Sequence, residues 1–264
     1  MSWILKRVHV NIPYTMLKEG YLSRFLERGI NPEIGFDAGA LDDLSETECR
    51  EIARKIHERP LSLTLHAPFV DLSPGSPDPA VRALTRQRFE QLLRVAGLFH
   101  PLRIVCHAGY DWKRYLYMRE RWIEYSLSTW EWMAEKTASV GAALMLENVY
   151  ERGPEEMEPL FKTLRVHGVG FCLDTGHQAA FGSTPLVDWV EALGPYLGQL
   201  HLHDNFGRRD DHLAVGQGDI DFEELFQALR EIREEPPPVT LEPHRERDLP
   251  SSLEYLEKIW PWPQ

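Results

Sequence analysis

The chain has 264 residues, 43% of them hydrophobic, which is enough to bury a full core without disulfide or metal staples. Its 41 acidic and 29 basic residues leave a formal charge of -12, and no basic tract of the kind a duplex-DNA binder presents is evident, which weighs against a nucleic-acid partner. No run of about 18 apolar residues occurs, and the opening MSWILKRVHVN lacks a signal-peptide core, so no membrane association is expected and the cytoplasm is the expected location.

Short apolar, β-rich runs alternate with longer segments of helical period. In chain order the strand candidates are 7–12, 32–36, 61–66, 103–107, 143–148, 170–174, 198–203 and 239–242. Amphipathic segments between them include 46–58, 81–98, 122–140 and 222–233. Ser45 and Asp221 stand where N-caps belong, and Gly141 follows the third of these helices. The prolines at 236–238 end the last one, since proline cannot continue a helix. Alternation of this kind specifies a parallel sheet, and eight pairs in this length specify a closed (β/α)8 TIM barrel, expected as one domain over residues 1–264. Two connections are long: 109–119, rich in Tyr, Trp, Lys and Arg, and 205–218, rich in Arg, Asp and Gly. The three cysteines are too widely spaced for a disulfide framework, and Cys106 and Cys172 read as small buried hydrophobes.

Residues that bind metals recur where the apolar runs end. LTLHAP carries His66, IVCHAG carries His107, and LMLENV carries Glu147. FCLDTGH carries Asp174 and His177, and LHLHDN carries His201 and His203. The following loop adds Asp210 and His212, and TLEPH adds Glu242 and His244. A carboxylate or imidazole at the end of a buried strand is costly to desolvate unless it is paired or metal-bound. Six consecutive strands ending in this way are hard to explain by packing, and in a barrel those ends converge on the C-terminal mouth. His201 and His203 alternate along one strand, so only one of them is expected to face the mouth.

These motifs resemble the xylose isomerase-like barrel superfamily, which includes endonuclease IV and sugar isomerases and epimerases. The resemblance is clearest from the third strand to the eighth. It implies that Glu147, Asp174, His201 and Glu242 form a single-metal site of the D-tagatose 3-epimerase type, with the two glutamates as acid and base. It equally implies the endonuclease IV pattern, in which His66, His107, His177, Asp210 and His212 complete a nine-ligand site for three zinc ions. The leading expectation is a metal-dependent isomerase or epimerase of a sugar, sugar phosphate or related polyol, using one ion of Mn, Zn, Co or Mg. The alternative is an endonuclease IV-like, zinc-dependent phosphodiester hydrolase with up to three ions. A metal-binding barrel without catalysis stands third. His203, Trp112, Arg208 and Arg209 are expected to touch a small-molecule carbohydrate substrate, the arginines by gripping a phosphate or carboxylate.

Overall fold

A computed structural model describes residues 2–263. Eight parallel strands close on themselves in sequence order: β1 Val8–Pro13, β2 Asn31–Gly35, β3 Thr64–His66, β4 Arg103–His107, β5 Ala143–Glu147, β6 Gly170–Asp174, β7 Leu197–Leu202 and β8 Val239–Leu241. Helices fill the crossovers, the longest being Pro79–Phe99 and Arg119–Ser139. Three helix starts are fixed locally. Ser45, Asp78 and Asp221 cap them by accepting backbone N–H bonds, and Pro79 occupies a first-turn position where a missing N–H costs nothing.

Strand alternation sorts the side chains. Leu65, Ile104, Leu144, Leu146, Phe171, Leu173, Leu200 and Leu202 join the core between sheet and helices. The intervening residues fill the barrel. Val105, Met145 and Cys172 form a separate small apolar cluster. Glu33, Thr64, Gln199 and Thr240 form a buried polar layer. His66, His107, Glu147 and Asp174 end their strands, and His201 lies one residue before the end of its own. Register brings these last residues together, since His107 pairs with Glu147 and Asp174 with His201 on neighbouring strands.

The long connection after β7 is held by one buried carboxylate. Asp204 accepts from the backbone N–H groups of Asn205 (2.8 Å), Gly216 (3.0 Å), Gly218 (2.8 Å) and Ile220 (3.2 Å). Asp204 and Leu213 also form a backbone bridge that folds the segment back on itself. Within the hairpin so formed, His212 takes a left-handed φ of 46°, a conformation costing about 1 kcal/mol that the surrounding fold must impose. Asp204→Ala is therefore expected to lower stability by about 3 kcal/mol through unpaired amides, and to speed tryptic cleavage at the exposed Arg208 and Arg209. Thermal unfolding and limited proteolysis check this; an unchanged cleavage rate would contradict it.

Candidate metal centre

The centre rests on Glu33, fully buried in the middle of β2. Its carboxylate accepts from Thr64 Oγ1 (2.8 Å), Gln199 Nε2 (2.7 Å), Thr240 Oγ1 (3.0 Å) and Asn11 Nδ2 (3.3 Å). Glu33 Oε1 also lies 3.1 Å from His201 Nε2. A carboxylate only accepts, so Nε2 keeps its proton there, and Nδ1 is the ring nitrogen that faces the mouth and can give up its proton to an ion. Burial opposes the Glu33 charge, but His201 and His66 outweigh it and hold the carboxyl down at about 2.

Above Glu33 three groups of ligand-type atoms adjoin. In the central one, His201 Nδ1 lies 2.9 Å from Glu242 Oε1, 3.5 Å from Glu147 Oε2 and 3.9 Å from Asp174 Oδ2. On one side, His66, His107 and Glu147 offer ligand atoms within 4.8 Å of one another. On the other, His177, His203, Asp210 and His212 do the same. Glu147 and Asp174 join the groups, for they also cluster with His177.

The histidine tautomers are set from outside. His66 Nδ1 donates to the carbonyl of Ala67 (2.9 Å) and His177 Nδ1 to that of Asn148 (3.1 Å). Their Nε2 atoms then point inward, that of His66 3.0 Å from Glu147 Oε2 and that of His177 3.5 Å from Asp210 Oδ2. Asn148 exchanges two 2.9 Å hydrogen bonds with the backbone of Asp174, locking the ends of β5 and β6 side by side. Asp174 also caps the next helix by accepting from His177 N (2.6 Å). The glycine of the DTGH motif is required by space, because a Cβ on Gly176 would sit 1.9 Å from the His203 ring.

Whether these residues suit metal ions can be judged from what they lack. Glu147 Oε1, His201 Nδ1, His203 Nδ1 and Asp210 Oδ1 are buried without a hydrogen-bond partner. Two of these atoms nonetheless sit close to a polar neighbour: His201 Nδ1 is 2.9 Å from Glu242 Oε1, and Glu147 Oε1 is 3.1 Å from His177 Nδ1. Such contacts, short yet misaligned for hydrogen bonds, are those of atoms aimed at a common point. Ligands of one zinc ion, each about 2.1 Å from it, stand about 3.4 Å apart in a tetrahedron. Imidazole and carboxylate donors without a thiolate suit Zn, Mn or Co. Cys172 lies close to His201 and Glu147, and burial pushes its thiol up.

Charge is balanced within this cluster. Burial works against Glu147 and Glu242, yet His201 above all holds both well below the carboxylate range. Conversely, burial pulls on His66, His177, His201 and His212, and the neighbouring carboxylates more than offset it and raise all four. His107 is the exception, since burial prevails and lowers it to about 3.

All nine residues expected as ligands meet at the mouth. One expectation is corrected: His203 also faces the cluster, its Nε2 3.0 Å from Asp174 Oδ1. Strand β7 ends at Leu202, so strict alternation no longer governs the next residue. His203, His212 and His244 stack as a pile, with ring centroids 3.7 Å apart at each step. Trp112 is half-buried, with the Arg152 guanidinium 4.8 Å over its ring. Tyr110 packs into the core against Trp122. Arg208 and Arg209 lie exposed on the loop after β7. Glu33 carries no signal in the sequence that marks it as part of the site.

A family model described as xylose isomerase-like TIM barrel matches residues 32–259. An uncharacterised protein of Methanocaldococcus jannaschii is 30% identical over 182 residues, 65% of this chain and 61% of the relative's own length. A protein named "Probable endonuclease 4" from Symbiobacterium thermophilum is 27% identical over 199 residues, 67% of this chain and 69% of its own. Among solved structures, a Thermus thermophilus protein soaked with ZnCl2 superposes with a TM-score of 0.79 at 26% identity, over 96% of this chain and 98% of its own. A D-tagatose 3-epimerase-like protein superposes with a TM-score of 0.77 at 23% identity, over 96% and 97%, a likeness of fold.

Two outcomes follow from the geometry. Glu33→Gln, which weakens the hold on His201 Nε2, is expected to reduce zinc affinity about 10–100-fold; equal affinity by competition with a chelating dye would contradict the role given to Glu33. The neighbouring carboxylates strengthen the hold of His66, His177, His201 and His212 on a proton, and an ion that takes the same nitrogen must displace it. Zinc affinity should therefore rise with pH, with net proton release read by calorimetry in buffers of different ionisation enthalpy. Binding without proton release would contradict this.

Proposed function

Because the chain belongs to the xylose isomerase-like TIM barrel family, we propose that it is a divalent-metal-dependent hydrolase acting on a phosphodiester in a small molecule. The observation that carries this reading is the adjoining of three ligand groups through Glu147 and Asp174. A single ion engages four or five of the ten residues in these groups, whereas a site for several ions engages nine of them, with His203 orienting Asp174. The sequence likeness to proteins named as endonuclease 4 supports the same chemistry. The net charge of -12 favours a small substrate over a duplex.

Divalent ions held by His66, His107, Glu147, Asp174, His177, His201, Asp210, His212 and Glu242 would supply Lewis acidity that activates water and stabilises charge on phosphoryl oxygens. The chain's own residues do the rest. Glu33 and the carbonyls of Ala67 and Asn148 fix the imidazoles of His201, His66 and His177. His203 orients Asp174. Arg208 and Arg209 are exposed on the loop that brings Asp210 and His212, and in this reading they meet a phosphate oxygen. Water's oxygen bonds to phosphorus, one ester P–O bond breaks, and the departing alcohol takes up a proton.

A second reading keeps one ion on Glu147, Asp174, His201 and Glu242 and epimerises or isomerises a sugar, sugar phosphate or related polyol, with Glu147 and Glu242 as acid and base. The approach of all three carboxylates to His201 Nδ1 within 3.9 Å favours it.

The zinc-loaded protein should release nitrophenolate from bis(p-nitrophenyl) phosphate. Glu147→Gln should reduce the rate at least about 100-fold, and His107→Ala and His177→Ala at least about tenfold each, as loss of a ligand does. Conversion of a ketohexose, retained in His107→Ala and with no diester hydrolysis, would overturn the hydrolytic reading in favour of the second.

A further inference from the structure

Exposed apolar residues are not scattered evenly over this protein. Of the twelve large apolar side chains exposed among the described residues, eight lie in segments that follow the C-terminal end of a strand, on the mouth side. All four exposed aromatic residues are among them: Phe69 after β3, Tyr117 after β4, Tyr150 after β5 and Phe206 after β7. Single exposed apolar residues need no explanation, but their concentration at one end of a barrel does.

Two of these aromatics connect to the candidate metal ligands, Phe69 directly and Tyr150 through Phe181. The Phe69 ring stacks on His107 at 4.2 Å between centroids and meets the edge of His66 at 5.7 Å, yet remains 49% exposed. Tyr150, 48% exposed, lies 5.1 Å from Phe181, whose ring stacks at 6.1 Å on His177. Aromatic surface thus runs from each outer ligand group to solvent. Burying these faces would be favourable, and nothing among the described residues covers them. A ligand held at the cluster by a phosphate brings its own ester groups against them. A polyanionic duplex gains little electrostatic attraction here, where Arg208 and Arg209 lie beside Asp210 and Asp211 in a chain of net charge -12.

Resting on the hydrolytic reading above, we propose that the substrate is a small phosphodiester carrying a flat, largely apolar ring system on one ester oxygen. Phe69 and Tyr150 are the residues that select it. The ring system stacks on one or both of them while the phosphate occupies the ligand cluster. Sugars with only hydroxyl groups leave both faces wet.

The test compares 2-naphthylphosphonate with methylphosphonate, neither of which can be hydrolysed, binding to the zinc-loaded protein by calorimetry. The expected result is at least about tenfold tighter binding of the naphthyl compound, as aromatic stacking on a preformed site gives. The ratio of the two affinities should shrink at least about threefold in Phe69→Ser and in Tyr150→Ser, while Phe69→Leu retains part of it. Equal affinities in the wild type, or a ratio untouched by both substitutions, overturn the proposal and leave the hydrolytic reading standing if bis(p-nitrophenyl) phosphate is cleaved. Failure to cleave any aryl phosphodiester overturns both. A zinc-loaded protein that sediments as a dimer and becomes monomeric in Tyr150→Ser, with no naphthyl preference, assigns the rim to a second copy and also overturns the proposal.

Discussion

Buried negative charge in the barrel mouth is the constraint from which the rest follows. Glu33, Glu147 and Asp174 are almost wholly removed from water, and Glu242 nearly so. Carboxylates in such a place must be paired, protonated or bound to a cation. The protein answers with imidazoles, which are neutral enough to be buried and basic enough to take a proton when nothing better is present. The carboxylates raise the proton affinity of four of them. The arrangement is balanced but unsatisfied, since four polar atoms in it lack hydrogen-bond partners. Divalent cations would satisfy both the charge and the orphaned atoms. Glu33 differs from the others because its lone pairs are engaged by Thr64, Gln199, Thr240 and Asn11. It orients a ligand and is not itself short of one.

Much of this is legible in the sequence, for a physical reason. Parallel strands buried on both faces are written as apolar runs, so eight of them announce a barrel, and a polar residue at the end of a run stands out. His66, His107, Glu147, Asp174 and Glu242 are visible in this way. Glu33 is not. It lies inside NPEIG, where one acid after a proline looks like an ordinary edge residue, and Gln199 and Thr240, which engage it, lie 166 and 207 positions away. His203 is misplaced by strand alternation because the alternation stops one residue before it, at the strand's end. Asp204, next to it, organises the loop by accepting four backbone bonds that no local pattern signals. The aromatic loop after β4 is legible as aromatic only. Its Trp112 is half-buried while Tyr117 is outermost, a distinction set by how the short helix Trp112–Tyr115 packs.

Fold and chemistry connect through register. Neighbouring strands pair His107 with Glu147 and Asp174 with His201, so ligand spacing is built into the sheet. Asp210 and His212 depend instead on a loop, and that loop is anchored by Asp204 and takes on backbone strain at His212. The loops carry what differs most between barrels of one fold, here an aromatic rim around an acidic centre.

The central claim is that the mouth takes several ions sharing Glu147 and Asp174. Anomalous diffraction at the zinc edge, on crystals of the zinc-loaded protein, tests it most directly. The account predicts three anomalous peaks: one among His66, His107 and Glu147, one among Glu147, Asp174, His201 and Glu242, and one among His177, Asp210 and His212. A single peak on the central four residues, persisting at saturating zinc, would contradict it.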